Sequence, residues 1–259
     1  MIDPRLDRLS AIARAAGSLA MAQFRGSFEQ WEKAEGEPVS EVDLAVDQFL
    51  QKELHAFDPE AGWLSEETVD SAERLLCSRV WVVDPIDGTR DYVRGRDGWS
   101  VSIALVEGGR ATLGVLDSPA RDEHWAASLG GGAWRNGILL KASQRTTLSG
   151  ARVPADILPK ADLDLIAVHK PNSIALRIAM VAADEADLVA ALRWGHEWDI
   201  AAAALIAQEA GAIVTNAHGA PLRYNSTKGE MFGVLATGAG FHAEAVARLE
   251  ARAAAASIR

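Results

Sequence analysis

Apolar residues recur at three- and four-residue intervals near the start of the chain. Leu6, Leu9, Ile12, Ala13, Ala16, Leu19 and Ala20 predict an amphipathic helix over about Asp7 to Phe28. Gly26 and the polar Glu29–Glu37 stretch are expected to end it. Ser40, a good N-cap, predicts a second helix whose apolar face is Val42, Val46, Phe49, Leu50, Leu54 and Phe57. Asp58-Pro59 and Gly62 stop it. The pattern then turns to period two. Val80–Val83 is a run of strand formers, ended by Asp84-Pro85, and Trp99, Val101, Ile103 and Leu105 alternate with smaller residues. Turns at Gly108-Gly109 and Asn136-Gly137 make Trp99–Trp134 an antiparallel meander.

From Leu148 to Lys160 the period disappears and two prolines occur, so a boundary is placed between a 1–147 domain and a 148–259 domain. Beyond it strands and helices alternate. Strands are expected at Leu163–Val168, Ala186–Leu192, Ala212–Thr215 and Phe232–Ala236. Helices are expected at Ile174–Ala183, Asp199–Glu209 and Phe241–Ala255. The first half therefore reads as α+β with an antiparallel sheet, and the second as α/β.

Composition narrows the class. The chain has 259 residues, 49% hydrophobic and 24% charged, with a net charge of −10. That balance excludes a free basic face for a nucleic-acid polymer. No apolar run approaches the roughly 20 residues of a membrane span. The start, Met1-Ile2-Asp3-Pro4-Arg5, lacks a secretory pattern, and the single cysteine, Cys77, has no partner. A cytoplasmic protein is expected. Asn225-Ser226-Thr227 matches a glycosylation pattern, discounted for lack of a leader.

The candidate chemistry lies in four acidic segments: Asp43, Glu66-Glu67, Asp84 with Asp87, and Asp199. In Asp84-Pro85-Ile86-Asp87-Gly88-Thr89 a strand delivers Asp84 to its end, and Pro85 bends the chain so that Asp84 and Asp87 address one place. Two carboxylates and the Ile86 carbonyl are oxygen donors suited to a hard cation such as Mg²⁺. Gly88-Thr89 opens a helix whose first N–H groups suit a phosphate. Each segment has a plainer reading. Asp84–Thr89 can be a surface turn, Glu66-Glu67 a solvated helix start, Asp199 the N-cap of the Ala-rich helix, and Asp43 half of a capping box with Ser40.

Taken in order, Glu66-Glu67, Asp84–Thr89 and Trp198-Asp199-Ile200-Ala201-Ala202 resemble the hallmark segments of the inositol monophosphatase superfamily of metal-dependent, typically lithium-sensitive phosphatases. Lys33 to Asp43 is similar to its Lys-x-Asp-x-Ser-Pro-Val-Thr-x-x-Asp segment, with Glu35 and Ser40 as conservative changes, and Glu209-Ala210-Gly211 also fits. The resemblance implies a layered α-β-α-β-α sandwich and two or three Mg²⁺ ions. It implies Glu66, Asp84 and the Ile86 carbonyl around a first ion, Asp84, Asp87 and Asp199 around a second, and Glu66 or Glu67 at a weaker third. It implies that Asp43 and Thr89 orient the attacking water, with Glu67 counted among the catalytic carboxylates. The Gly88 and Thr89 amides would bind phosphate. Homodimers are common in the family.

Departures bear on the substrate, a small phosphorylated molecule. Inositol monophosphatases tend to carry a glutamate seven residues before the last metal aspartate, and Leu192 stands there. Arg90-Asp91-Tyr92 follows Gly88-Thr89 and is closer to the bisphosphate nucleotidases, which act on 3'(2'),5'-bisphosphates such as phosphoadenosine phosphate. The alternatives are inositol phosphate, histidinol phosphate, and a regulatory protein that senses a phosphorylated ligand without turnover. Arg90, Lys170 and Ser173 are candidate substrate contacts. Trp194 or His196 reads as part of a substrate lip; on the plainer reading Trp198 packs in the core and His196 is solvated. His124 and Trp125 read as sheet residues and Cys77 as structural.

Overall fold

The computed structural model describes residues 3–34 and 37–258. Glu35 and Gly36 of the Lys33–Asp43 segment lie outside the described residues. Helix α1 (Arg5–Gln23) buries the expected stripe, Leu6, Leu9, Ile12, Ala13, Ala16 and Ala20. It stops before the expected Phe28 because Arg25 turns to φ 64°. The freed Phe24 and Phe28 then pack against Tyr92, with ring centroids 5.5 and 5.4 Å away. The polar stretch that follows forms a hairpin, β1 (Gln30–Ala34) with β2 (Glu37–Ser40). Every residue of β1 is exposed, so no alternation marked it in the sequence.

Helix α2 (Glu41–Phe57) starts where Ser40 predicted, with a full capping box to Asp43. A short strand, β3 (Gly62–Ser65), then pairs in parallel with β4 (Arg79–Asp87). The meander follows as β5 (Ser100–Glu107), β6 (Arg110–Ser118), β7 (Glu123–Ser128), β8 (Gly132–Arg135) and β9 (Ile138–Leu139), giving a seven-stranded sheet in the order β3 to β9. Asn136 and Gly137 both take positive φ, 50° and 79°, as a two-residue hairpin turn requires.

Strand β4 does not end at Asp84-Pro85. It runs on to Asp87 after one register shift: Asp84 faces Ser102 and Asp87 faces Ser100, three steps against two. In an unbroken strand, residues three apart point to opposite faces. The extra residue reverses that parity, and Pro85, which has no N–H to pair, sits in the bulge.

In the second half, β10 (Arg152–Pro154) pairs in parallel with β11 (Ile166–Val168). Helix α4 (Ile174–Ala182) precedes β12 (Leu188–His196), and α5 (Ala201–Glu209) precedes β13 (Ala212–Thr215) and β14 (Glu230–Gly238). The last three strands form an antiparallel sheet in the order β12-β14-β13, and α6 (His242–Ser257) closes the chain.

Five layers result: α1 and α2, the large sheet, α4 and α5, the small sheet, and α6. Each sheet face is covered, so apolar clusters form between the layers. The alanines of α5 explain the tight middle layer. Ala201 to Ala204 are all buried. A Cβ at Gly114 on β6 would lie 2.8 Å from the Ala202 carbonyl. Small residues on both sides let helix and strand backbones approach. The largest cluster contains Val82 and Leu116 of the first half and Ala202 and Val234 of the second, so one continuous core holds the acidic segments together. No helix among the described residues is long and apolar enough to cross a membrane.

Candidate active site

The layers bring the acidic segments to one cleft of about 420 Å³, lined by Glu66, Asp84, Ile86, Asp87, Gly88, Thr89 and Asp199, with Arg90, Asn172 and Arg193 also on its walls. Asp84 and Asp87 arrive together through the β4 bulge. Asp84 is 2% exposed, and its Oδ1 accepts the Ile86 N–H at 3.0 Å. Burial, and then the neighbouring charges of Glu66, Asp87 and Asp199, push its carboxyl well above the ordinary range. Burial raises Asp87 to about 6 against the opposing pull of Ser173 and the Ala175 N–H. Burial and then Asp87 raise Asp199 to about 7. These carboxylates repel one another at close quarters, and a bound cation would reverse that balance.

Asp199 does not take the N-cap position that its plainer reading assigned it. Ile200 holds that position, and Asp199 sits one residue earlier, where its Oδ2 accepts the His196 N–H at 3.1 Å. Glu66 and Glu67 follow β3 and meet Lys33, whose Nζ lies 3.3 Å from Glu66 and 2.5 Å from Glu67. Burial alone would lower Lys33. The two glutamates outweigh it and hold the ammonium above its ordinary pKa. Burial lifts Glu67 to about 7.

The donor set fits a hard cation: oxygen ligands only, with Asp84 and Asp87 buried and the carboxylates mutually repelling. As they stand, no three Asp, Glu, His or Cys side chains among the described residues form a closed cage. The hydrogen bonds show why. Lys33 acts as a substitute positive charge on Glu66. Asp87 is engaged by the Ser173 hydroxyl at 2.5 Å and the Ala175 N–H at 2.7 Å.

Asp43 completes the capping box and also meets Thr89. Its Oδ2 accepts the Ser40 N–H at 2.9 Å, while its Oδ1 accepts the Thr89 hydroxyl at 3.1 Å. Thr89 does not cap its helix, α3 (Thr89–Val93), because Gly88 is the N-cap. Gly88 has φ 96°, and a Cβ there would lie 2.6 Å from the Gly98 carbonyl, so only glycine fits the turn.

Of the candidate substrate contacts, Arg90 lines the cleft. Ser173 is fully buried, caps α4 and supports Asp87 from behind. Lys170 borders an adjoining cavity and pairs with Asp156 at 2.6 Å. Leu192 turns away from the carboxylates into the apolar cluster under α6. Arg193 faces the cleft in its neighbourhood, beside Trp194 and Trp198. Trp194 is 38% exposed, and His196 stacks on Trp198 at 4.2 Å. His124 and Trp125 lie in β7 as expected.

Two supports escaped the sequence reading. Asp47, one turn beyond Asp43, accepts the hydroxyls of Ser65 and Thr68, both at 2.5 Å, and so brackets Glu66-Glu67. A carboxylate on the apolar face of a helix was the available signal. Glu197, fully buried, accepts the N–H groups of Asn225 at 2.6 Å and Ser226 at 2.9 Å. Arg74 reaches the same turn at Asn225 Oδ1, 2.6 Å away, while gripping Asp70. The stretch before Asp199 is thereby tied to the loop after Glu66-Glu67. Nothing local in the sequence marks that contact.

A profile of the inositol monophosphatase family matches residues 2–252. The chain belongs to the inositol monophosphatase family. Members of this family are phosphatases, and so is this protein. Among its relatives is the fructose-1,6-bisphosphatase/inositol-1-monophosphatase of Thermotoga maritima, 32% identical over 83% of this chain and 86% of that one. The 3'(2'),5'-bisphosphate nucleotidase CysQ of Escherichia coli K12 is 31% identical over 85% and 93%. The Nus factor SuhB of Xylella fastidiosa is 31% identical over 88% of each. The solved IMPase of Thermotoga maritima superposes with a TM-score of 0.83 at 28% identity, over 96% of this chain and 98% of that one. The superposition with the solved enzyme takes in nearly the whole layered sandwich.

Proposed function

We propose that this inositol monophosphatase family enzyme hydrolyses the phosphomonoester of a 3'(2'),5'-bisphosphate nucleotide with Mg²⁺. The observation that carries the substrate class is the cleft wall formed by Arg193, Trp194, His196 and Trp198. Flat aromatic faces suit a nucleobase, at about 1–3 kcal/mol per stacked base. The guanidiniums of Arg90 and Arg193 suit an anionic substrate. Leu192 offers no hydrogen bond to a cyclitol hydroxyl. The named activity of CysQ supports the same reading.

The family is generally Mg²⁺-dependent. Glu66, Asp84, the Ile86 carbonyl, Asp87 and Asp199 would hold the ions, with Glu67 beside them. Bound Mg²⁺ would supply positive charge against the phosphate and the leaving oxygen. The chain's own residues do the rest. The Gly88 and Thr89 N–H groups bind phosphate, and Arg90 adds charge beside them. Asp43 takes the Thr89 proton in a hydrogen bond, leaving the Thr89 oxygen to accept one from the attacking water and aim it. Ser173 keeps Asp87 in place. Phosphate release from adenosine 3',5'-bisphosphate, inositol 1-phosphate and histidinol phosphate, each with Mg²⁺, tests the reading. The bisphosphate should give the highest kcat/KM, and faster release from inositol 1-phosphate would overturn the substrate class.

A further inference from the structure

Beside the carboxylate cleft lies a second, more open cavity of about 660 Å³, and Asn172 lines both. We propose that this cavity is a second anion subsite, which holds the phosphate of the substrate that is not hydrolysed. The inference rests on the bisphosphate reading above.

The charge pattern carries it. Four cations, Arg25, Arg94, Arg96 and Lys170, border the cavity against three carboxylates, Asp91, Asp97 and Asp156. The whole chain carries −10, so a local excess of positive charge runs against its composition. Lys170 and Asp156 pair with each other, which leaves three arginines against Asp91 and Asp97. Asp91 accepts the Asn172 N–H at 3.1 Å. Arg96 stands 3.8 Å from Asp91, too far for a strong pair. Among the described residues, Arg94 takes part in no salt bridge, although its guanidinium borders the cavity. Arg25 is pinned at the rim, with its Nε donating to the Gly95 carbonyl at 3.0 Å and its guanidinium over Phe24. The groups come from three separate segments that the fold alone brings together: the end of α1, the loop after α3, and the turn before α4. Guanidiniums in such a frame suit the oxygens of a phosphate dianion. Asn172, the shared wall, sets the two cavities side by side, as a substrate with two phosphates would require.

The test replaces Arg94 and Arg96 together by glutamine. Both are exposed and neither belongs to the catalytic set. A lost charge-assisted contact at an exposed site is expected to raise the KM for adenosine 3',5'-bisphosphate about 10-fold with kcat nearly unchanged. The kinetics of adenosine 3'-monophosphate, which lacks the second phosphate, should stay as in the parent enzyme. Equal changes for both substrates, or no change for either, would overturn the subsite. Binding of adenosine 5'-monophosphate, measured by calorimetry, checks it without turnover. It should weaken about 10-fold in the double variant, and unchanged or absent binding in the parent and variant alike would also overturn it. If the parent enzyme hydrolyses neither nucleotide, the bisphosphate reading falls, while the calorimetric result still decides the subsite.

Discussion

Replacing Thr89 by valine isolates the chemistry from the scaffold. The change keeps the backbone amide and nearly the same volume and deletes one hydroxyl. In the structure that hydroxyl lies 3.1 Å from Asp43 Oδ1 and 3.0 Å from the Ile86 carbonyl, inside a site where Asp43 is 1% exposed. Leaving a buried carboxylate oxygen without its donor costs about 2 kcal/mol. For a chain of this size that lowers the thermal midpoint by roughly 4–8 °C. On the role proposed for this hydroxyl, aiming the attacking water, kcat should fall about 10²-fold while KM and the Mg²⁺ requirement change little. Thr89→Ser restores the donor and should recover most of kcat. Steady-state phosphate release and a thermal melt on both variants supply the numbers. The side chain caps no helix, because Gly88 is the N-cap. A lowered midpoint with unchanged kcat in Thr89→Val would therefore show that the Asp43–Thr89 pair is scaffold only.

Three further outcomes follow from the same geometry. EDTA should abolish activity and Mg²⁺ restore it, and Mg²⁺ should raise the thermal midpoint by relieving the repulsion among Asp84, Asp87 and Asp199; full activity in EDTA would refute the metal reading. Asp87→Asn and Asp199→Asn should each lower kcat/KM by about 10²-fold or more. Only Asp87→Asn should also melt earlier, because Asp87 receives Ser173 and the start of α4; near-normal turnover in either variant removes that residue from the ligand set. Away from the cleft, burial would raise Asp187, but the Arg152 guanidinium outweighs it and holds the carboxyl at about 2. A carboxyl lowered by folding adds stability above its ordinary pKa and loses it as pH falls, here between about pH 4 and 2. Asp187→Asn should thus lose about 2 kcal/mol at pH 6 and much less near pH 2; equal losses in urea titrations at both would refute the assignment.

Much of this protein is written in short-range patterns. The capping box of Ser40 and Asp43, the hairpin turn at Asn136-Gly137 and the buried stripe of α1 depend on neighbours within a few residues, and all three form as the sequence implied. The acidic segments were legible for the same reason, since carboxylates beside proline and glycine announce themselves locally. The family was legible from their order along the chain. Other features were decided by contacts between distant segments. The β4 bulge that turns Asp84 and Asp87 to one side is set by pairing with β5. Lys33 reaches Glu66 only because the hairpin that carries the all-exposed β1 borders the cleft. Leu192 and Arg193 sit in a bulge of β12 against β14, where Leu192 joins the apolar layer and Arg193 lines the cleft. Arg74 meets the Asn225 turn across 151 residues of chain. Local backbone preference acts over one or two turns of chain, whereas the direction of a side chain at a sheet edge or the partner of a buried charge is set by whichever layer packs against it.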